Sequence, residues 1–255
     1  MVTVLKLGGS VITEKDRPET LDGAALDRAA DAIADATAST GGTDVADAPS
    51  DLVVAHGGGS FGHHHAERHG VRTDAGTEDA EAAMDIHGAM TTLNRFVLGR
   101  LQDRDVAALP AHPLSLASRD AAGHLSLPTG AVETMLGEGF VPVLHGDVVA
   151  HEGEGTTVLS GDEIVAELAG ALAADRVGLC STVPGVLDSE GAVIDRIEDY
   201  DDVANALGDS AATDVTGGMA GKVRTLLDAG APAWVFGLDG LPAFLSGDSP
   251  GTRIG

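Results

Sequence analysis

Cysteine, lysine and aromatic side chains are all scarce in this chain of 255 residues. Cys180 is the single cysteine, and aromatics make up 3%. One cysteine excludes an internal disulfide and fits a reducing compartment. No apolar run approaches the ~20 residues that a bilayer crossing needs. Residues 1–9 already read as a strand, so neither a membrane span nor a secretory leader is expected. Cations are outnumbered as well: the formal charge is −25. Nucleic acid is therefore not an expected partner, because nothing neutralises its phosphates in bulk.

The acidic residues are spread through the chain and do not form a tail. A solvated acidic surface of this kind suits a salt-adapted cytoplasm, so a halophilic source and a cytoplasmic location are expected. Lys6, Lys15 and Lys222 are the three lysines, and the other cations are arginines. A surface that has discarded lysine so thoroughly keeps it where an ammonium is required. These three positions are candidate functional residues on that ground alone.

The chain is organised around LVVAHGGGSFGHHHA at residues 52–66. A short apolar strand runs into Gly57, Gly58 and Gly59, then Ser60, Phe61, Gly62 and His63. Glycines after a strand let the backbone turn tightly and bring N–H groups to an anion. His63 can add a hydrogen bond and, near neutral pH, a charge. The stretch is a candidate phosphate cradle. Gly57-x-Gly59-x-x-Gly62 also matches the dinucleotide fingerprint, but that pattern needs a second strand ending in an acid about 20 residues on. Here residues 67–81 are polar and then turn helical. The run His63, His64, His65 suggests zinc only weakly, because adjacent side chains diverge on a strand or a helix. No metal ligand set is assigned.

Strands are expected at 2–7, 52–55, 106–110, 141–144, 176–180 and 233–236, with a further pairing segment at 192–197. Helices are expected at 21–38, 77–104, 130–138, 163–173, 200–207 and 220–229. Residues 11–17 read as a polar continuation, 39–51 as a turn-rich loop and 148–157 as a hairpin. Asp162 is a plausible N-cap for the helix at 163–173. In the long helix, Ile86, Met90, Leu93, Val97 and Leu101 fall at spacings of three and four. Alternating strands and helices imply a largely parallel α/β sheet covered on both faces. Ligands of such sheets bind at the carboxyl ends of the strands. Lys6–Ser10, His56–His63, 145–147 and 181–186 all fall there. Residues 217–222 miss the P-loop spacing by one residue, and Val223 stands where Ser or Thr should bind magnesium.

LKLGGS at 5–10, AHGGGSFGH at 55–63, HGD at 145–147, LSGDEIV at 159–165 and DVTGGMAGK at 214–222 resemble the amino-acid kinase superfamily. Within it they are similar to the isopentenyl phosphate kinases. The resemblance runs from the first strand to GTRI at 251–254, and its most specific element is the histidine after the SFG turn. It implies an open αβα sandwich, an ATP-dependent transfer to isopentenyl phosphate, Mg²⁺ and a homodimer. It also implies an acceptor lobe at about 1–170 and an ATP lobe at 171–255.

Residue by residue, the resemblance puts Lys6, Gly8, Gly9 and Ser10 around the transferring phosphates. Gly57, Gly62 and His63 are expected on the acceptor phosphate, with Gly146 and Asp147 on the acceptor side. Gly58, Asp162, Gly217 and Lys222 are expected on the ATP side, Asp162 orienting the lysines, and Lys15 near the transferred group. Ile86 and Met90 of the helical stripe are candidates for lining the acceptor's five-carbon tail. Thr182 departs from the pattern, standing where relatives usually carry aspartate. Two other readings stay open: a kinase of this fold with another small phosphate or phosphonate acceptor, and a non-catalytic nucleotide- or anion-binding module.

Overall fold

A computed structural model describes residues 1–39, 51–203 and 218–255. The first strand, β1 (Val2–Leu7), is buried along nearly its whole length. The chain then makes one helical turn, α1 (Gly9–Ile12), which takes in the first two residues of the polar continuation read at 11–17. After α2 (Gly23–Ser39) come β2 (Asp51–His56), α3 (Gly59–His69) and the 23-residue α4 (Ala80–Gln102). Next are β3 (Ala108–Pro110), α5 (Pro113–Leu116), β4 (Ser118–Arg119), β5 (Leu125–Ser126), α6 (Gly130–Gly137) and β6 (Val141–His145). The expected hairpin is β7 (Asp147–His151) with β8 (Gly155–Leu159), followed by α7 (Gly161–Ala171) and β9 (Arg176–Ser181). β10 (Arg196–Ile197), the helix Gly218–Asp228, β11 (Ala233–Gly237), the helix Leu241–Leu245 and β12 (Thr252–Ile254) complete the chain.

Eight strands form one sheet in the order β10-β12-β11-β9-β1-β2-β6-β3. It is parallel from β11 to β3, and β12 runs antiparallel to β11. The two-residue alternation of the central strands sends side chains to opposite faces. Val4, Val53, Ala55, Val177 and Leu179 join the core beneath α7. Leu5, Leu7, Leu52, Val54 and Cys180 join the core beneath α2 and α4. Ile86, Met90, Leu93, Val97 and Leu101 are all buried, so the stripe read from spacing is the inner face of α4. A smaller sheet, β5-β4-β7-β8, stands beside the main one. Among the described residues no helix is long and apolar enough to cross a membrane.

One local expectation is corrected. Asp162 is not the N-cap of α7. Ser160 caps it, accepting from the Glu163 N–H while the Glu163 carboxylate accepts from the Ser160 N–H. That capping box satisfies two helix N–H groups and frees the Asp162 side chain for another partner. The segment at 192–197 pairs as expected, through a bridge between Leu187 and Val193 and through β10, which lies beside β12. Of the helix expected at 200–207, a short turn at Tyr200–Asp202 is present and residues 204–207 lie outside the described residues.

Candidate active site

The central strands end level with one another. Leu7 is paired with both His56 and Cys180, and His56 with His145. The next residue of each strand is tied to its neighbour by a backbone bond. Gly8 N–H donates to Cys180 O at 2.8 Å, Gly57 N–H to Leu7 O at 3.0 Å, and Gly146 N–H to His56 O at 2.9 Å. These turns form the floor of a cleft of about 380 Å³.

The floor requires glycine. A Cβ on Gly9 would lie 2.1 Å from the Gly59 nitrogen, so the two loops meet backbone to backbone. Gly59 itself has φ +48°, a region that side chains disfavour. The Thr13 hydroxyl locks the contact, accepting from Ser60 N–H at 3.0 Å and donating to Gly9 O at 2.8 Å. α3 starts here with no side-chain cap at Gly58. Its positive end therefore faces the cleft, an arrangement suited to an anion.

Lys6 leaves β1 on the same face as Val4, the face that α7 covers. Its ammonium is buried and lies 2.6 Å from Asp162 Oδ1 in the first turn of α7. Lys222, in the helix Gly218–Asp228, approaches the other oxygen of Asp162 at 3.8 Å. One buried carboxylate thus holds two ammonium groups beside a glycine floor. Lys15 reaches the cleft from the exposed turn after α1, and His63 reaches it from α3.

Every residue assigned to the site from sequence lines this cleft except Gly217, which lies outside the described residues. The lining therefore includes Lys6, Gly8, Gly9, Ser10, Lys15, Gly57, Gly58, Gly62, His63, Ile86, Met90, Gly146, Asp147, Asp162 and Lys222, together with Thr182. Met90 packs under the glycine turn at the start of α3: a Cβ on Gly62 would come within 2.6 Å of its Sδ. The sequence reading missed Ala66 and Val158. Both belong with Ile86 to a small apolar cluster between α3, α4 and the β7–β8 hairpin. Ala66 follows His63 by three residues on α3, so helical spacing alone could have placed it on the cleft face.

A group of histidines behind the floor also escaped sequence reading. His87 Nδ1 donates to the Asp147 carboxylate at 2.9 Å, and this bond raises the His87 pKa above its usual value. Burial raises the pKa of Asp147. His145 donates from Nδ1 to Gly146 O at 2.9 Å, and its Nε2 lies 2.9 Å from His112 Nδ1. Burial, with neighbouring imidazoles adding, pushes His145 down to about 3. Burial likewise takes His56 down to about 4. These two imidazoles are neutral supports of the turns that follow them. Burial also pushes the Cys180 thiol up to about 12, so it acts as a core residue rather than a nucleophile.

The arrangement brings three ammonium groups and an imidazole to one glycine-floored cleft in a chain of net charge −25. It suits a ligand carrying several phosphates. Residues 1–231 match the amino acid kinase family. Over 253 residues the chain is 59% identical to isopentenyl phosphate kinase from the halophilic archaeon Haloferax volcanii, covering 99% of this chain and 98% of that one. It is 31% identical to isopentenyl phosphate kinase from Methanocaldococcus jannaschii, covering 100% and 98% respectively. A solved structure described as that of isopentenyl phosphate kinase superposes with a TM-score of 0.82 at 28% identity, over all of both chains. The chain belongs to the amino acid kinase family and, within it, to the isopentenyl phosphate kinases.

Proposed function

We propose that this protein transfers the γ-phosphoryl group of ATP to the phosphate of isopentenyl phosphate, releasing isopentenyl diphosphate and ADP. The observation that carries the reading is the pair of lysines held by Asp162 in the same cleft as His63 and the glycine floor. An acceptor phosphate monoester has a second pKa of about 6 and is largely dianionic at neutral pH. Its oxygen attacks the γ-phosphorus, the bond from that phosphorus to the β,γ-bridging oxygen breaks, and ADP leaves with the electron pair. No general base is needed. The barrier lies in bringing two anions together, so catalysis is positioning and charge neutralisation.

Lys6 and Lys222 serve the ATP phosphates, with Gly8, Gly9, Ser10, Gly58 and Gly217. Lys15 faces the transferred group. His63 and the backbone of Gly57 and Gly62 hold the acceptor phosphate, with Gly146 and Asp147 beside it. The apolar cluster of Ala66, Ile86 and Val158 receives the five-carbon tail, and Met90 supports the turn above it. In this reading residues 1–170 form roughly the acceptor lobe and 171–255 the ATP lobe, built on one continuous sheet.

The carboxylates lining the cleft, among the described residues, are Asp147 and Asp162, and each is engaged by a cationic or donor side chain. Such a set fits Mg²⁺ carried by ATP, since Mg²⁺ keeps several waters and binds substrate phosphates more than protein cages. Bound there, it supplies charge neutralisation on the β- and γ-phosphates. A homodimer in the cytoplasm completes the proposal, and the exposed Met84 and Phe96 of α4 give a subunit contact something to bury.

The deciding experiment is coupled ADP release in molar potassium chloride with isopentenyl phosphate, compared with small phosphonates and with no acceptor. Turnover specific to isopentenyl phosphate supports the proposal. Turnover only with a phosphonate, or nucleotide binding without turnover, overturns it. Light scattering reads the subunit count.

A further inference from the structure

α3 carries two histidines one helical turn apart, His65 and His69, and neither lines the cleft. Spacing i, i+4 puts them on one face of the helix. That face meets α4 at Asp85. One donor atom from each of His65, His69 and Asp85 lies within 4.8 Å of the other two. His69 Nε2 is 3.0 Å from Asp85 Oδ2. His65 turns its Nε2 to Glu19 Oε1 at 2.6 Å. Its Nδ1 is buried and has no hydrogen-bond partner among the described residues.

A carboxylate on one ring nitrogen with the other nitrogen left over is the habit of a metal-ligating histidine. The carboxylate fixes the tautomer and raises the basicity of the ligating nitrogen. Glu19 carries a second mark of a constrained position: its φ is +48°, unusual for a residue with a side chain. Its N–H donates to Ser60 O at the start of α3, so the strained turn presents Glu19 to His65 from a fixed base.

We propose that His65, His69 and Asp85 bind one divalent transition-metal ion of the zinc class, with Glu19 orienting His65 from outside the coordination sphere. Two imidazoles and a carboxylate select Zn²⁺, Co²⁺ or Ni²⁺ over Mg²⁺ and Ca²⁺. The ion fastens α3 to α4, and α3 is the helix whose N-terminal half carries Gly62 and His63. The site is a clamp outside the phosphoryl-transfer cleft, and it stands independently of the acceptor's identity. Of the histidine run 63–65 it uses His65 alone.

The test uses the full chain, freed of metal with a chelator and held in molar potassium chloride, which suppresses loose binding to the acidic surface. Zn²⁺ is titrated calorimetrically, and Co²⁺ by visible absorption. The expected result is one ion per chain, the visible bands of low-symmetry Co²⁺, and a melting temperature that rises with added Zn²⁺. His69→Ala and Asp85→Asn should each weaken binding by tenfold or more. Glu19→Gln should weaken it about 10- to 100-fold, as loss of an outer-sphere partner does. His64→Ala should bind as the parent does. Ordinary ion pairs alone, His65 with Glu19 and Asp85 with His69 and Arg68, would give neither the Co²⁺ spectrum nor the Zn²⁺-dependent melting shift. That outcome, or unchanged Zn²⁺ affinity in both His69→Ala and Asp85→Asn, overturns the proposal.

Discussion

Lys6 and Lys222 share Asp162 unequally, and the difference separates catalysis from stability at the level of single residues. Lys6 is buried at 2.6 Å, whereas Lys222 stands at 3.8 Å and keeps more solvent. Removing a donor that stabilises transferring charge should lower kcat by roughly 10²-fold or more at either position. Lys6→Ala also takes the closer partner from a buried carboxylate and leaves it Lys222 at 3.8 Å, a loss of up to about 3–5 kcal/mol, while Lys222→Ala leaves the Lys6 pair intact. The melting temperature should therefore fall clearly in Lys6→Ala and little in Lys222→Ala. Lys6→Ala/Asp162→Ala should regain stability without regaining turnover. Near-normal turnover in both lysine variants would remove them from the mechanism.

His63 offers a companion measurement. His63→Ala should raise KM for the acceptor far more than KM for ATP, and His64→Ala should change neither. These residues were legible because lysine is so rare here and because the glycines announce close backbone approach. The resemblance implied that Asp162 orients the lysines, but the capping box on Ser160, which frees its carboxylate to do so, was not legible. The histidines behind the floor were not legible. His56, His87, His112, His145 and Asp147 come from separate segments, and only the fold brings them together.

At the scale of elements, the site depends on where strands stop and on what α3 and α4 enclose. His56 and His145 are paired at the ends of β2 and β6 and are held neutral by burial, at about 4 and about 3. Their folded pKa values lie below the unfolded value, so the unfolded chain binds more protons as pH falls below 6.5. Stability is complete above that pH and is lost as pH falls toward 4, by up to ~1.4 kcal/mol per pH unit for each histidine. His87 is shifted the other way, so its contribution is fully present below pH 6.5 and is lost as pH rises through its raised pKa. It therefore adds little slope on the acid side. Urea unfolding between pH 6.5 and 4.5 should show this decline, and His56→Gln should flatten it. An unchanged slope would mean that His56 is not kept neutral.

The second element-scale prediction concerns the tail. Ile86→Ala enlarges the apolar cluster between α3, α4 and the β7–β8 hairpin. It should raise the kcat/KM ratio of geranyl phosphate to isopentenyl phosphate, since a methylene in such a pocket is worth about 1–3 kcal/mol. Met90 packs under Gly62 and sits in the main core, so Met90→Ala should chiefly lower the melting temperature. A ratio unmoved by Ile86→Ala would put the chain-length stop elsewhere. The stripe on α4 was readable from its spacing, but which of its residues turns toward the cleft was not. Spacing gives a face, and only the packing of α3 and the hairpin divides that face between core and cleft.

For the whole molecule, alternating strands and helices made the parallel sheet readable, and apolar runs set the central strands. The smaller sheet was readable only in its β7–β8 hairpin, because β4 and β5 are two residues each and too short to carry a period. The one property that belongs to no element is the charge of −25. Surface pairs such as Arg104 with Asp27 and Asp31, or Arg100 with Asp27, offset it locally. Each exposed pair is worth only about 0–1 kcal/mol, and salt weakens it. Salt also screens the repulsion among the carboxylates, since 40 Asp and Glu face 15 Lys and Arg. At molar ionic strength the screening length shrinks to about 3 Å, so the repulsive sum collapses faster than the few contacts do. The melting temperature should rise from dilute buffer to molar potassium chloride. Lys6 and Asp162 are buried and screened much less, so activity lost at low salt should follow the unfolded fraction and should not reflect a weakened site. Circular dichroism and ADP release measured across the same salt series would check both statements. A flat or falling melting curve would overturn the adaptation of this surface to salt. Activity lost while the chain stays folded would show that salt acts on the cleft itself.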